Sequence, residues 1–390
     1  MSETIVRIAA RGDGVTEGGR HVPFAVPGDM VLQNGDVEWG PHHQVPPCRH
    51  FPECGGCQLQ HADDDAYRSY LVSRIAGALG QHGLATEIRE PHLSPPNSRR
   101  RASLRALKLG RGAVLGFNAQ RSHQVVDMHE CHILRAELFA LVAPLRGLLG
   151  ELLEPRRPGE AQLALTDQGV DVTLKGTEAA GLEAIERLTD FCTAHRLARM
   201  SLDQGDGPET FYEPMPVTVT LSGTPVQFPV GAFLQATEDG EAALVAAVRE
   251  AVGPSTRIAD LFAGLGTFAL ALPGQVYAAE ASRVAVLALK RVGPSIAAEH
   301  RDLYRRALDG SELANFDAVV LDPPRAGAAE QIAALAASAV PRIAYVSCNP
   351  ATFARDARTL SDGGYALSWV RPVGQFRWST HVELAGCFTR

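Results

Sequence analysis

Asp260-Leu-Phe-Ala-Gly264-Leu-Gly266-Thr-Phe268 is the stretch of sequence that decides the fold of this chain. It continues an apolar strand pattern, Arg257–Leu261, and its glycines allow a tight turn where the backbone can approach a ligand. A helix is expected over Thr267–Leu272, and the next strand pattern, Val276–Ala279, ends in the acidic Glu280. This order predicts a ligand-binding strand–turn–helix unit of a doubly wound sheet.

Strand and helix patterns alternate from about Thr237 to the C-terminus, and two further strands end at Asp322 and at Ser347-Cys348. Ligands of doubly wound sheets bind at these carboxyl ends. The glycine turn also matches the G-x-G-x-x-A pattern of dinucleotide-binding dehydrogenases. Asp260 and the later Asp322-Pro-Pro-Arg325 instead resemble class I S-adenosylmethionine (AdoMet) methyltransferases, which we favour over a dehydrogenase.

Composition indicates a soluble protein of two or three domains. The chain has 390 residues, 45% hydrophobic and 21% charged, and longer chains divide into several cores. No apolar run reaches the ~20 residues that span a bilayer, and the N-terminus lacks the apolar stretch of a signal peptide. Seven unevenly spaced cysteines do not indicate a disulfide framework. We therefore expect a cytoplasmic protein.

The chain divides by pattern into three parts. Residues 1–45 alternate short apolar runs with Gly and Pro, which predicts a small β-barrel or part of one. Residues 46–235 hold a cysteine loop and an α+β middle domain with a helix expected over Glu137–Leu149, and a helix near 64–82 is expected to pack on the last domain. Residues 236–390 form the α/β domain. No internal repeat is visible.

A basic stretch runs through the middle part although the formal net charge is −7. No acidic residue occurs from Pro91 to Val126, while seven basic residues do: Arg99, Arg100, Arg101, Arg105, Lys108, Arg111 and Arg121. Such a surface can neutralise phosphates on an acidic protein. A solvated basic face without a partner is the alternative.

Asp322-Pro-Pro-Arg325 and Cys348 together indicate methylation at carbon. Enzymes that methylate the adenine amino group usually carry an aromatic residue where Arg325 stands. C5 of uracil is not nucleophilic, but a thiolate adding to C6 makes it so, and a base must later remove the C5 proton. Cys348 is the predicted nucleophile, helped by Arg325 and the Asn349-Pro350 turn, with a buried structural cysteine as the alternative.

The base is sought in Ser379–Leu384, which alternates like a strand and would place His381 and Glu383 on one face. The pattern alone does not separate these two residues. Glu383 is our choice, and an ordinary surface carboxylate is the alternative.

Four more cysteines indicate a metal site. Cys48, Cys54 and Cys57 lie close together, and 73 residues separate Cys57 from Cys131. Four thiolates suit a cubane iron–sulfur cluster or a zinc ion. A fourth ligand closes the site, so we expect a structural or RNA-positioning cluster and not a radical source. Cys192 and Cys387 are expected to be structural.

The ordered motifs resemble the RNA 5-methyluridine (uracil-C5) methyltransferase family, in its iron–sulfur-containing branch, over nearly the whole chain. They are Pro47-Cys48, Cys54-Gly-Gly-Cys57-Gln-Leu-Gln-His61, Phe233-Leu-Gln235, Asp260-Leu-Phe-Ala-Gly264, Asp322-Pro-Pro-Arg-Ala-Gly327 and Ser347-Cys-Asn-Pro350. The resemblance implies a Rossmann-like class I methyltransferase domain (α/β), an α+β RNA-binding middle domain and a short N-terminal TRAM-like β segment. It also implies a [4Fe–4S] cluster, Cys348 as nucleophile, Glu383 as base, and AdoMet contacts from Gln235, Phe262, Thr267, Glu280, Asp302 and Asp322.

The implied activity is AdoMet-dependent methylation of uridine C5 in structured RNA, by a monomer that uses neither DNA nor a membrane. The iron–sulfur branch mostly modifies 23S ribosomal RNA, and the transfer RNA T-loop is the alternative target. Three features depart from the family: Thr237 and Thr267 replace usual Asn residues, and the β segment is short. A non-catalytic iron–sulfur RNA-binding protein therefore stays a rival hypothesis.

Overall fold

The computed structural model describes residues 2–110, 112–177, 179 and 181–390. Arg111, part of the predicted basic stretch, lies outside these residues. Within them, no helix is both long enough and apolar enough to cross a bilayer.

The N-terminal segment forms one sheet of five short strands, which pair antiparallel in the order β3-β2-β1-β4-β5. A few apolar side chains, including Ile5, Val22 and Val31, form its core. Among the described residues β3 and β5 each pair on one side only, so the sheet is open. The strands are β1 (Glu3–Ile8), β2 (Gly14–Thr16), β3 (His21–Val22), β4 (Met30–Val31) and β5 (Val37–Glu38).

The segment after the cysteine loop packs on the C-terminal domain. Helix α1 (Asp64–Gln81) begins at Asp63, whose side chain accepts a hydrogen bond from the Ala66 amide. The α1 side chains that share a face, from Tyr67 to Leu79, belong to the core of that domain. Two short strands follow, β6 (Glu87–Ile88) and β7 (His92–Leu93), and both pair with a C-terminal strand.

The middle domain has a six-stranded sheet in the order β13-β12-β11-β10-β8-β9, and a separate hairpin joins β14 to β15. Alternation along β8 points Leu104 into the core and Arg101 and Arg105 outward. The elements are β8 (Arg101–Leu109), β9 (Gly112–Gly116), α2 (Ala136–Ala140), α3 (Val142–Leu152), β10 (Pro158–Thr166), β11 (Gly169–Lys175), α4 (Leu182–Ala194), β12 (Arg199–Asp203), β13 (Pro208–Tyr212), β14 (Thr218–Leu221) and β15 (Thr224–Gln227).

The C-terminal sheet runs β18-β17-β16-β19-β20-β22-β21-β6, with β22 antiparallel to both of its neighbours. Its order reverses between β16 and β19, which is the switch point where ligands of such sheets bind. The predicted doubly wound α/β domain is confirmed. Its elements are α5 (Glu238–Val252), β16 (Arg257–Leu261), β17 (Gln275–Glu280), α6 (Arg283–Val292), β18 (Ile296–His300), α7 (Gly310–Leu313), β19 (Ala318–Leu321), α8 (Ala329–Ala336), β20 (Arg342–Ser347), α9 (Pro350–Asp362), β21 (Ala366–Gly374) and β22 (Glu383–Thr389).

Two local predictions are wrong. The helix expected over Thr267–Leu272 is a series of turns, because the Asp260 carboxylate takes the Ala269 amide and Pro273 follows directly. A helix that the 137–149 pattern suggests as continuous is divided into α2 and α3, because the Pro144 ring would clash with the carbonyl four residues earlier.

Candidate active site

The glycine turn after β16 forms a cradle at the switch point. Phe262, Gly264 and Gly266 all have positive φ, and a Cβ on Gly264 would meet nothing within 4 Å. The space beside this turn is therefore open to a ligand. Asp260 lies at the bottom of the cradle. One of its carboxylate oxygens accepts a hydrogen bond from the Ala269 amide at 2.8 Å. The other oxygen is buried and has no partner among the described residues. Burial raises the pKa of Asp260 to about 7.

Glu280, at the end of β17, stabilises the same turn through hydrogen bonds. One of its oxygens accepts from the Gly264 amide at 3.0 Å and the other from the Ser282 amide at 2.6 Å. Each carboxylate oxygen has a second lone pair that remains available for a hydroxyl group. The arrangement suits a ribose bound beside the cradle.

Asp302 lies after β18 on the far side of the cradle. It accepts from the Tyr304 amide at 3.0 Å and forms an ion pair with Arg305. The Tyr304 ring lies 5.6 Å from that of Phe262, so an acidic side chain and two aromatic rings occupy this end of the site. Thr267, half-buried, lies in the turn itself.

The pairing of strands brings Cys348 and Glu383 together. Ser347 is the partner of Leu384 in the antiparallel pair β20–β22. Cys348 follows Ser347 and Glu383 precedes Leu384, so these two residues lie opposite each other at the same end of the sheet. Asp322 follows β19, the parallel neighbour of β20. The charges of Glu383 and Asp322 both act on the Cys348 thiol.

The half-buried Cys348 thiol is not activated in this structure. Burial raises its pKa, and the charges of Glu383 and Asp322 raise it further, while Arg325 lowers it. The expected help from Arg325 is therefore present but outweighed. Asn349 instead caps helix α9 and donates to the Arg325 carbonyl at 3.2 Å, which fixes the turn that carries the thiol.

Glu383 is buried, with 4% of its surface exposed. Burial raises its pKa, while a hydrogen bond from Gln375 and the charge of Arg101 oppose the rise. Gln375 also donates to Gln235, at 2.8 Å, and the Gln235 amide lies 3.5 Å from Asp322. Two predicted cofactor contacts are thus linked to Glu383 through Gln375, which the sequence analysis did not identify.

His381 and Glu383 do not share a strand face, so that prediction is wrong. Strand β22 begins at Glu383, because the preceding loop makes its bonds to α1 and to the cysteine loop instead. His381 is exposed, its Nδ1 lies 3.1 Å from Arg325, and its ring lies 5.5 Å from that of Phe376. The structure therefore separates the two candidates: one is buried beside Cys348 and one lies at the mouth of the site.

Thr237, one of the departures from the family, has a local structural role. It is fully buried and caps helix α5 by accepting from the Gly240 amide at 3.0 Å. Its hydroxyl also lies 2.8 Å from that of Ser94. The residue holds the end of the segment that carries Gln235.

The four predicted metal ligands line one cavity. Cys48, Cys54, Cys57 and Cys131 meet there with mostly apolar neighbours such as Phe117 and Met128. The loop is fixed by backbone bonds, including Gly55 to the Asn118 carbonyl at 2.9 Å. Among the described residues no group of three or more Cys, His, Asp or Glu side chains has the geometry to hold a single metal ion.

The basic stretch is not one continuous surface, so the prediction is wrong at Arg100. This residue is buried, pairs with Glu241 at 2.7 Å and donates to the Gln235 carbonyl at 3.1 Å. Arg105 and Arg121 instead line an open groove of ≈ 700 Å³ together with Arg11. The N-terminal segment, the cysteine loop, the middle domain and Thr380 near the site all contribute to its walls.

Comparisons with known proteins show that this chain is similar to RNA methyltransferases. The family model described as tRNA (Uracil-5-)-methyltransferase matches residues 295–390, the segment that contains Asp322, Cys348 and Glu383. An uncharacterized RNA methyltransferase of Zymomonas mobilis is 52% identical over 393 residues, 99% of each chain. The 23S rRNA (uracil(1939)-C(5))-methyltransferase RlmD of Chromohalobacter salexigens is 33% identical over 90% of this chain and 77% of its own.

One solved structure shares the whole fold. The Pyrococcus abyssi tRNA (uracil-54, C5)-methyltransferase, in complex with S-adenosyl-L-homocysteine, superposes with a TM-score of 0.73 and covers 100% of both chains at 23% identity. The sequence relatives extend over nearly the full length as well. On these matches, together with the strand-end site, the chain belongs to the RNA (uracil-5-)-methyltransferase family.

Proposed function

We propose that this protein methylates C5 of a uridine in folded RNA through a covalent bond between Cys348 and C6 of the base. The observation that carries the proposal is the β20–β22 pairing, which sets the Cys348 thiol across from a buried carboxylate, Glu383. A nucleophile and a base at one sheet edge are what this chemistry requires. Arg325 and Asp322 complete the surroundings of the thiol.

The residues divide the reaction between them. Cys348 first gives its proton to solvent, its thiolate sulfur bonds to C6, and the electron pair of the 5,6 double bond moves to C5. The methyl group that C5 receives would come from AdoMet, which would leave as S-adenosylhomocysteine. Glu383 removes the C5 proton, the double bond re-forms and the sulfur leaves as a thiolate. Glu383 then loses its proton and Cys348 regains one by exchange with solvent, so both groups return to their starting states. Because burial raises the pKa of Glu383, the carboxylate is a better proton acceptor than an exposed one.

The cradle fits AdoMet. Open space at Gly264 and the unpartnered oxygen of Asp260 provide room and a free acceptor at the switch point. Glu280 would accept from the ribose hydroxyls, and Asp302 would lie near the adenine with Phe262. The remaining predicted contacts, Gln235, Thr267 and Asp322, would lie toward the methyl-donating end.

The cysteine cavity supports a [4Fe–4S] cluster held by Cys48, Cys54, Cys57 and Cys131. A zinc ion needs four sulfurs about 2.3 Å from one point, whereas a cubane binds each sulfur at its own iron. The four cysteines line one cavity, and this shared lining is the observation that supports the cluster. Such a group would hold the loop that forms one wall of the groove, and all four sulfurs would be used as ligands.

The groove supports RNA as the partner. Its arginines come from three separate parts of the chain: Arg11, Arg105 and Arg121. Phosphate contacts of this kind position a nucleic acid without reading its sequence. Among RNAs we favour 23S ribosomal RNA, because the named relative at 33% identity acts on it, with the transfer RNA T-loop as the second candidate. A cytoplasmic monomer remains our prediction.

Replacing Cys348 by Ala is expected to lower methyl transfer by roughly 10⁴-fold or more, because the attacking sulfur is lost. Binding of S-adenosylhomocysteine, measured by calorimetry, should stay within a few-fold of wild type. Cys192→Ala is the control, since Cys192 is buried in the middle domain away from the site. Full activity of Cys348→Ala would refute the nucleophile.

Glu383→Gln should trap the covalent protein–RNA adduct, since attack and methyl transfer precede proton removal. We expect a band that resists denaturant on a gel and carries label from methyl-labelled AdoMet. His381→Gln is the control, because His381 is exposed at the mouth of the site. Normal turnover in Glu383→Gln, or trapping by His381→Gln alone, would contradict the assignment.

Protein purified without oxygen should be brown and contain about four iron and four sulfide per chain. Cys131→Ala should lower both contents, while Cys387→Ala, in the C-terminal core, should not. Stoichiometric zinc without visible absorbance would rule out the cluster.

The target should be an unpaired uridine, since bases outside a duplex cost least to extrude. Mass spectrometry of ribosomal and transfer RNA from a deletion strain should show one or more 5-methyluridines lost. The purified protein should methylate the corresponding loop-bearing fragment and leave a fully paired duplex unmodified. RNA that binds but is never methylated, in vivo or in vitro, would support the non-catalytic alternative.

A further inference from the structure

The side chain of Gln375 lies between the predicted cofactor contacts and the predicted base. It follows directly after β21, and only 2% of its surface is exposed. Its amide is within hydrogen-bond distance of three groups: the Ala236 backbone, Gln235 and Glu383. A buried amide with three partners is fixed in place.

The orientation of this amide follows from one of its partners. The Ala236 backbone N–H can only donate, and it lies 2.8 Å from Oε1 of Gln375. The oxygen must therefore face Ala236, and Nε2 must face the other two groups. Both N–H bonds of Gln375 are then donated, one to Glu383 and one to Oε1 of Gln235 at 2.8 Å.

The same direction of hydrogen-bond donation continues through Gln235 to a second carboxylate, that of Asp322. Since Oε1 of Gln235 accepts from Gln375, its own Nε2 faces Asp322, 3.5 Å away. Gln235 is held on its other side by buried Arg100, which donates to its carbonyl and pairs with Glu241. A row of donors thus starts at a backbone amide and ends on carboxylates at Glu383 and Asp322.

We propose that Gln375 is a positioning residue, which holds Glu383 as an oriented proton acceptor and links its position to Gln235 and Asp322 on the AdoMet side. The inference rests on the proposed role of Glu383. A donor that bonds only to the charged carboxylate favours that form over the protonated one. A buried row of hydrogen bonds also resists rearrangement, since each group that moves leaves another unpaired.

Other charged groups face Glu383 as well. Arg101, on β8, favours the ionised form of the carboxylate. Asp322 and the Cys348 thiol face it from the ends of β19 and β20, and each feels its charge. None of these donates a hydrogen bond to Glu383 among the described residues, so the loss of Gln375 removes the one side-chain donor in contact with it.

The test is Gln375→Met, which keeps the length of the side chain and removes both donors. The pH at which release of methylated RNA reaches half of its maximum should rise by about one unit, so release should slow by roughly 10-fold at pH values below the wild-type midpoint. Adduct should therefore accumulate at low pH and clear as the pH rises. Formation of the adduct should change less than its release.

Gln331→Met is the matched control. Gln331 is also buried, and its amide bonds to the backbone of Leu308, away from the site. This variant loses a similar set of bonds and should be less stable, yet its release profile should match wild type. A Gln375→Met profile that shifts no more than that of Gln331→Met would overturn the proposal.

Two further outcomes keep this proposal separate from the one on which it rests. If Glu383→Gln turns over normally, the base assignment itself fails. If Glu383→Gln traps the adduct while Gln375→Met releases RNA with the wild-type pH profile, only the positioning role fails. Should Gln375→Met not fold, Gln375→Asn keeps the amide but shortens its reach, and the same shift is required of it.

Discussion

Two backbone amides, those of Gln58 and Leu59, donate to the same carbonyl oxygen, that of Trp378, at 2.8 Å each. This contact joins the cysteine loop to the loop between β21 and β22. The Trp378 ring is buried in the middle-domain core beside Cys57, and the residue adopts a φ of 57°. A left-handed conformation costs a non-glycine residue roughly 1–2 kcal/mol and persists only where the surroundings enforce it.

The position of Glu383, the proposed base, depends on this anchored loop. Gln375 stands at its beginning and Glu383 at its end, and α1 supplies a further bond from the Tyr67 hydroxyl to the Phe376 carbonyl at 3.0 Å. The cysteine loop and α1, both distant in sequence from this loop, and the middle-domain core that holds Trp378 therefore fix it. In consequence, the backbone of this loop connects the cysteine site to the candidate active site.

The sequence predicted the residues at strand ends well, because parallel strands bring their carboxyl ends to one edge. Asp260, Glu280, Asp322 and Cys348 each follow an apolar run that is easily recognised. The loop residues were harder to predict. Nothing in the alternation of Ser379–Leu384 revealed that its first half would bond to other parts of the chain, which removed His381 from the strand.

The burial of single polar residues was equally hard to predict from the sequence. Arg100 stands in a run of three arginines, yet only 5% of its surface is exposed, because its partner Glu241 comes from a helix 141 residues later. Gln375 carried no motif, and its role appears only when Ala236, Gln235 and Glu383 surround it. Such contacts depend on the paths of distant segments, which local periodicity does not encode.

The charges of the site also bear on the order of the reaction. Asp260, Asp322 and Glu383 are all buried enough for their pKa values to rise, and the charges of Glu383 and Asp260 further raise the pKa of Asp322. AdoMet bound in the cradle would bring a sulfonium cation to these carboxyl groups, and that charge would favour their ionised forms. Loss of the cation on methyl transfer would then increase the proton affinity of a neighbouring carboxylate. On the proposed mechanism Glu383 accepts the C5 proton at that later stage, which makes the buried base strongest at the step that needs it.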